Sequence, residues 1–178
     1  MNVISRVWHA ALNEAAKPRT AVKGAEFENY VHRHIFPPSH YDLINRTPGY
    51  TNHRDEFMES AREPDFKFRD RKSKREFYVE AKYRSGFFEQ GIDWCQYYQL
   101  KRYRAMDEDV PVFVVIGVGG TASSPEYVFL FPVRNARYTR LFFSRLQPFE
   151  IPHSRLSPRK LNDLLSAREE ARQAVLTS

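Results

Sequence analysis

REPDFKFRDRKSKREFYVEAKYR, residues 62–84, holds two strand-like runs around a charged centre, and the rest of the chain is placed from it. Asp65-Phe66-Lys67-Phe68-Arg69 alternates apolar with polar residues, and Phe77-Tyr78-Val79-Glu80-Ala81-Lys82-Tyr83 does so more loosely. The segment between them is charged and turn-like, so the stretch predicts a β-hairpin. A side-chain period of two puts Glu80 and Lys82 on one face of the second strand and Val79 and Ala81 on the other. Asp65 joins the acid and the amine from the neighbouring strand. Two carboxylates, with the Ala81 carbonyl as a further donor, form an oxygen set suited to Mg2+ or Mn2+, which keep several waters of their own. Beside such an ion, Lys82 can orient or deprotonate an attacking water, or steady charge growing on a phosphate.

These residues carry a resemblance to a known family. Pro64-Asp65 and Glu80-Ala81-Lys82 resemble the two halves of the signature of the PD-(D/E)XK nuclease superfamily, whose fold is restriction-endonuclease-like. The resemblance implies an α/β (α+β) fold with an αβββαβ core, a central mixed sheet flanked by helices, and here extra terminal helices. It also implies Asp65 and Glu80 as ligands of Mg2+ or Mn2+ and Lys82 as the group at the nucleophilic water.

Two flanking helices fit that core. In KGAEFENYVHRHIF, residues 23–36, Phe27, Val31 and Ile35 make an apolar stripe with Glu28 at its edge. Relatives often point a glutamate from this helix at the metal, which makes Glu28 a candidate accessory ligand; the alternative is an edge acid reaching into solvent. Downstream, GIDWCQYYQLKRYRAM, residues 91–106, predicts a helix with Ile92, Gln96, Gln99 and Tyr103 on one stripe. Relatives place an active-site glutamine on this helix, and Gln99 is the better match, with Gln96 second; a helix with glutamines at a wet border is the alternative. YDLINRT reads as an earlier strand, PVFVVIGV as a strand buried on both faces, and EYVFLFPV as one more.

Composition bounds the function. The 178 residues, 42% hydrophobic and 15% aromatic, suffice for one packed domain and argue against disorder. We expect an N-terminal amphipathic helix over 1–20, a nuclease-like core over 21–150 and a C-terminal helical extension over 151–178. Lys and Arg exceed Asp and Glu by 28 to 22, a net charge of +6, which favours a polyanionic partner such as DNA. Arg69, Arg71, Lys72, Lys74 and Arg75 crowd the hairpin turn, Arg84 ends the second strand, and Lys101 and Arg102 follow the glutamines. All are candidate phosphate contacts, and Tyr83, Tyr97, Tyr98 and Tyr103 could stack on unpaired bases. A merely solvated turn and packing tyrosines are the competing readings.

The remaining signals exclude more than they assign. Cys95 stands alone and no Cys/His cluster has zinc spacing, so an intracellular, cytoplasmic protein is expected. No apolar run is long enough for a membrane span. The glycines of IGVGGTASSPE lack the spacing of a dinucleotide loop. Ser157-Pro158 starts a helix with Leu161, Leu164 and Leu165 on one side. The terminal helices pack on the domain or serve a homodimer contact.

The expected function is metal-dependent hydrolysis of DNA phosphodiester bonds by Asp65, Glu80 and Lys82, with Glu28 as accessory acid and Gln99 as orienting amide. The alternatives are a nucleic-acid-binding module of the same fold that is inactive or needs a partner, and a structural or protein-interaction domain. In the last, Glu80 and Lys82 are an ordinary ion pair.

Overall fold

The structure, a computed structural model, describes residues 19–47, 63–153, 156–157 and 159–166. Of the amphipathic helix expected over 1–20, residues 1–18, and any contact through them, lie outside the described residues.

Helix α1 runs over 19–30 and widens into a π-helical turn, Val31–Ile35, before the prolines at 37 and 38 end it. Its stripe of Phe27, Val31 and Ile35 is fully buried. Strands β1 (Tyr41–Arg46), β2 (Phe66–Asp70) and β3 (Glu76–Arg84) follow. The hairpin is as expected: β2 and β3 pair antiparallel with Phe66 opposite Val79 and Phe68 opposite Phe77. Next come β4 (Gly91–Asp93), helix α2 (Tyr97–Asp109), β5 (Val112–Val118), β6 (Tyr127–Pro132) and β7 (Arg140–Phe142). Residues 159–166 form a terminal helix.

The main sheet has the order β1-β2-β3-β5-β6, and β4 with β7 makes a separate two-stranded sheet. In the main sheet only β3 and β5 are parallel, with α2 in the crossover between them. Every residue of β5 is buried, which explains its uninterrupted apolar sequence.

The alternation of β3 separates two cores. Phe77, Val79 and Ala81 face α1 and the terminal helix, whose Leu161 and Leu165 are buried in the same cluster. The other face of the sheet packs Val114 and Ile116 against Leu100 and Tyr103 of α2 and Ile92 of β4. Ser157 caps the terminal helix, its hydroxyl accepting from the Lys160 amide at 3.2 Å. Gly117 of β5 lies directly beneath Phe27, and a Cβ there would overlap the ring. The main sheet and α1 therefore meet at close range where α1 carries Glu28.

The helix expected over 91–106 is shorter than its pattern. Gly91–Asp93 pair with Arg140–Phe142, so Ile92 belongs to a strand. α2 begins only at Tyr97, where Gln96 and Gln99 form a reciprocal capping box. The capping bonds compete with continuation of the helix toward Gly91, and the surviving buried stripe is Leu100, Tyr103 and Asp107.

Candidate active site

Pro64-Asp65 stands at the entry to β2 and is clamped by Thr47. The Thr47 amide donates to the Asp65 carbonyl and its hydroxyl to the Pro64 carbonyl, each at 2.9 Å. The chain is thereby fixed so that Asp65 Oδ2 accepts from the Ala81 amide at 2.8 Å. Burial, the negative charges of Glu80 and Glu28, and no sufficient compensation from Lys82 push the Asp65 carboxyl up to about 8.

Glu80 is buried and held from both sides. Lys82 Nζ lies 2.5 Å from Oε1, and the Tyr103 hydroxyl donates to Oε2 at 2.8 Å. Burial alone would lower the Lys82 pKa, but the carboxylates of Glu80 and Asp65 outweigh it and raise it. The ammonium therefore stays protonated at neutral pH. Burial, then Glu80, raises the Tyr103 hydroxyl as well, which keeps it a donor.

Asp65, Ala81, Lys82 and Glu28 line one cavity of about 480 Å3, together with Thr20, Lys23, Gly24 and the β3 end, Tyr83 to Ser85. Glu28 reaches it from α1 while its Oε2 takes a 3.0 Å bond from Arg46 at the end of β1. Of the four residues expected around a metal, Asp65, Ala81 and Glu28 line this cavity, on three elements. Glu80 sits behind the cavity wall, joined to it through Lys82.

Among the described residues, no three of His, Cys, Asp and Glu form a metal-holding group. A divalent cation here would draw on Asp65, Glu80 and the Ala81 carbonyl and retain waters, as Mg2+ does. The donor set fits in kind: its oxygens are hard, and a cation would offset both the burial of Asp65 and, after it, the repulsion from Glu80 that raise its carboxyl.

Gln99 and the hairpin cations are not among the residues lining the cavity, whereas Tyr83 and Arg84 are. Gln99 Oε1 accepts from the Gln96 amide at 2.9 Å, so this side-chain oxygen serves the helix start. The hairpin cations sit at the far end of β2 from Asp65, five residues or about 17 Å away at roughly 3.4 Å each. Two of them are paired, Arg69 with Glu76 and Arg71 with Asp42. Arg84 is beside the cavity, but it donates to the carbonyls of Asp93, Tyr83 and Trp94 and so fastens β4 to the end of β3. Tyr83 donates its hydroxyl to the Gly120 carbonyl at 3.0 Å, and Tyr103 is buried against Glu80, whereas Tyr97 and Tyr98 are exposed. Thr20, Lys23 and Arg46 were not singled out by the sequence, because only the packing of α1 against the strand ends brings them to the site.

No protein-family model matches the chain, and no curated protein matches it. A solved structure does: Archaeoglobus fulgidus Hjc, a Holliday junction resolvase from an archaeal hyperthermophile, superposes with a TM-score of 0.50. The match covers 72% of this chain and 90% of the resolvase at 14% sequence identity. Described helices include none long and apolar enough to cross a membrane. With its five-stranded mixed sheet, its flanking helices and this structural likeness, the chain shares the fold of that resolvase, the mixed α/β restriction-endonuclease-like architecture expected from the sequence.

Proposed function

We propose that the protein is a metal-dependent nuclease that hydrolyses DNA phosphodiester bonds. One observation carries this reading: Asp65, Ala81, Lys82 and Glu28 line a single cavity, and Glu80 is ion-paired to Lys82 at its wall. Asp65 and Glu80, with the Ala81 carbonyl, would hold Mg2+ or Mn2+, and Glu28 would serve as an accessory acid. When bound, the cation supplies positive charge to the phosphate and to an attacking water.

The chain's own groups then have distinct tasks. Lys82, protonated and fixed by Glu80, donates to the water or a phosphate oxygen and stabilises the charge that develops there. Glu80 remains able to accept further bonds, since each carboxylate oxygen has two lone pairs. The resolvase likeness supports a DNA substrate, and branched DNA is the first to try.

Linear, nicked, branched and single-stranded DNA incubated with Mg2+, Mn2+ or chelator tests the proposal. Metal-dependent cleavage lost in Lys82→Ala is the expected result. Cleavage that persists undiminished in Lys82→Ala would remove the site from consideration.

A second reading has one observation in its favour. Arg46 neutralises Glu28, so the accessory acid is engaged within the chain itself. A nuclease-fold module that cuts only after a partner protein displaces Arg46 would bind DNA under all these conditions and cleave it under none.

A further inference from the structure

Exposed aromatic side chains among the described residues are not scattered. Phe142 lies on β7, Phe88 and Tyr138 stand three and two residues before β4 and β7, and Tyr97 and Tyr98 open α2 just after β4. Isolated exposed apolar residues are ordinary, but a gathering of aromatics on one small sheet marks an interaction surface.

Two of these rings are held in place by unusual local structure. Phe88 and Gly91 close a two-residue turn through a reciprocal pair of backbone bonds, 2.9 and 3.0 Å. Its central residues, Glu89 and Gln90, both have positive φ, 48° and 58°, where glycine or asparagine is the usual choice. Side chains are rarely held there without purpose. The turn presents Phe88, 69% exposed, at its base.

Arg140 completes the arrangement. It shares the outer face of β7 with Phe142, while Leu141 turns inward to the core. Its guanidinium carbon lies 5.9 Å from the Phe88 ring centre and 5.8 Å from that of Phe142. Bonds to the Phe88 carbonyl at 2.6 Å and to Asp93 Oδ2 at 3.0 Å fix its plane. Gly91 provides the room, since a Cβ there would stand 3.0 Å from Arg140 Nε. Ring, guanidinium and ring form one preorganised, solvent-facing surface.

We infer that Phe88, Arg140 and Phe142 are a stacking platform for unpaired bases of a DNA strand that enters or leaves the cavity. This rests on the nuclease reading above. Planar π faces and a flat guanidinium stack on any base without reading its identity. Residues 134–145, which include β7, contain four arginines: Arg134 pairs with Asp107 and Arg140 with Asp93 and, at 4.0 Å, Glu89, while Arg137 and Arg145 are exposed and offer charge to a polyanion. Ser85 lines the cavity and Phe88 is three residues further, a reach of about 10 Å, or roughly three stacked nucleotides. Arg84 ties the platform to the cavity wall through the Asp93 and Trp94 carbonyls. The platform would favour substrates with unpaired bases beside the cut, such as flaps, tails or open junctions.

The test uses the full chain in chelator, so that binding is read without cleavage. A duplex with a single-stranded tail is compared with the same duplex whose tail is abasic and with a blunt duplex. Wild type should prefer the base-bearing tail over the abasic one by about tenfold or more, and Phe88→Ala/Phe142→Ala should lose that preference while its blunt-duplex affinity stays. Phe88→Tyr/Phe142→Tyr should restore it, which separates stacking from a folding defect. Equal affinity of wild type for base-bearing and abasic tails overturns the platform and leaves the nuclease reading standing. So does a double Ala variant with undiminished preference, or one that loses self-association or protein binding alone. No binding of wild type to any of the three DNAs overturns the platform and, if cleavage is also absent, the nuclease reading with it.

Discussion

Tyr103 donates its hydroxyl to Glu80 Oε2 across 2.8 Å in the buried layer between α2 and β3. The bond spans 23 residues of sequence and gives the buried carboxylate a second partner beside Lys82. Tyr103→Phe removes the donor without opening a cavity. It should cost about 1.5–3 kcal/mol, the range for a hydrogen bond to a charged group, and lower cleavage by loosening Glu80. Chemical denaturation and cleavage rates check this; unchanged values for both would show that the tyrosine only fills space.

Asp65 gives a signed dependence on pH. In the unfolded chain an aspartate ionises near 3.9, whereas in the metal-free fold it holds its proton to about 8. The native state therefore binds more protons between those values, and its stability falls as pH rises through that window. Asp65→Asn keeps an oxygen for the Ala81 amide and never ionises. It should be clearly more stable than wild type at pH 8, and the gain should vanish near pH 4. Urea melts at both pH values suffice, and a variant less stable than wild type at pH 8 contradicts the account.

Lys82→Ala leaves Glu80 buried with Tyr103 as its remaining partner. Removing one member of such a pair strands a charge, so a loss of about 3 kcal/mol is expected, along with cleavage. DNA affinity should be largely spared, as measured by a salt series. A collapse of binding equal to that of cleavage would make Lys82 a substrate anchor and not a group acting on the bond.

Divalent metal should stabilise the fold through the same acids. Saturating Mg2+ or Mn2+, at a hundredfold excess over Kd, adds about 2.7 kcal/mol. The added stability should disappear in Asp65→Asn. An equal rise in Tm for wild type and variant would place the cation elsewhere.

Gly117→Ala tests how the site depends on close packing. The new methyl would overlap the Phe27 ring, one residue before Glu28. Displacing α1 should cost about 1–3 kcal/mol and reduce cleavage. A variant with unchanged denaturation midpoint would show that α1 yields freely.

Much of this arrangement could be read from period and motif. The alternation around Phe66 and Val79, the stripe of Phe27, Val31 and Ile35, and the continuous run of β5 are strong local patterns, and each became the expected element. Pro64-Asp65 and Glu80-Ala81-Lys82 found one another because the hairpin register is itself local. The three-residue strands of the small sheet were hidden, since neither has a detectable period and they pair across 49 residues between Ile92 and Leu141. The partners of Glu80 and Glu28, Tyr103 and Arg46, come from other elements and were equally silent. The cations of 69–75 crowd the hairpin turn as their sequence implies, at the end of β2 away from Asp65.

The two-sided character of β3 makes the protein sensitive to reading frame in a literal sense. Its odd positions, 77, 79 and 81, point at α1, while Glu80 meets Tyr103 of α2 and pairs with Lys82. Lengthening the 71–75 turn by one residue is absorbed outside the ladder. The same single insertion between Phe77 and Glu80 would rotate the acid into a phenylalanine core and Ala81 toward Tyr103, erasing the chemistry without deleting one of its residues.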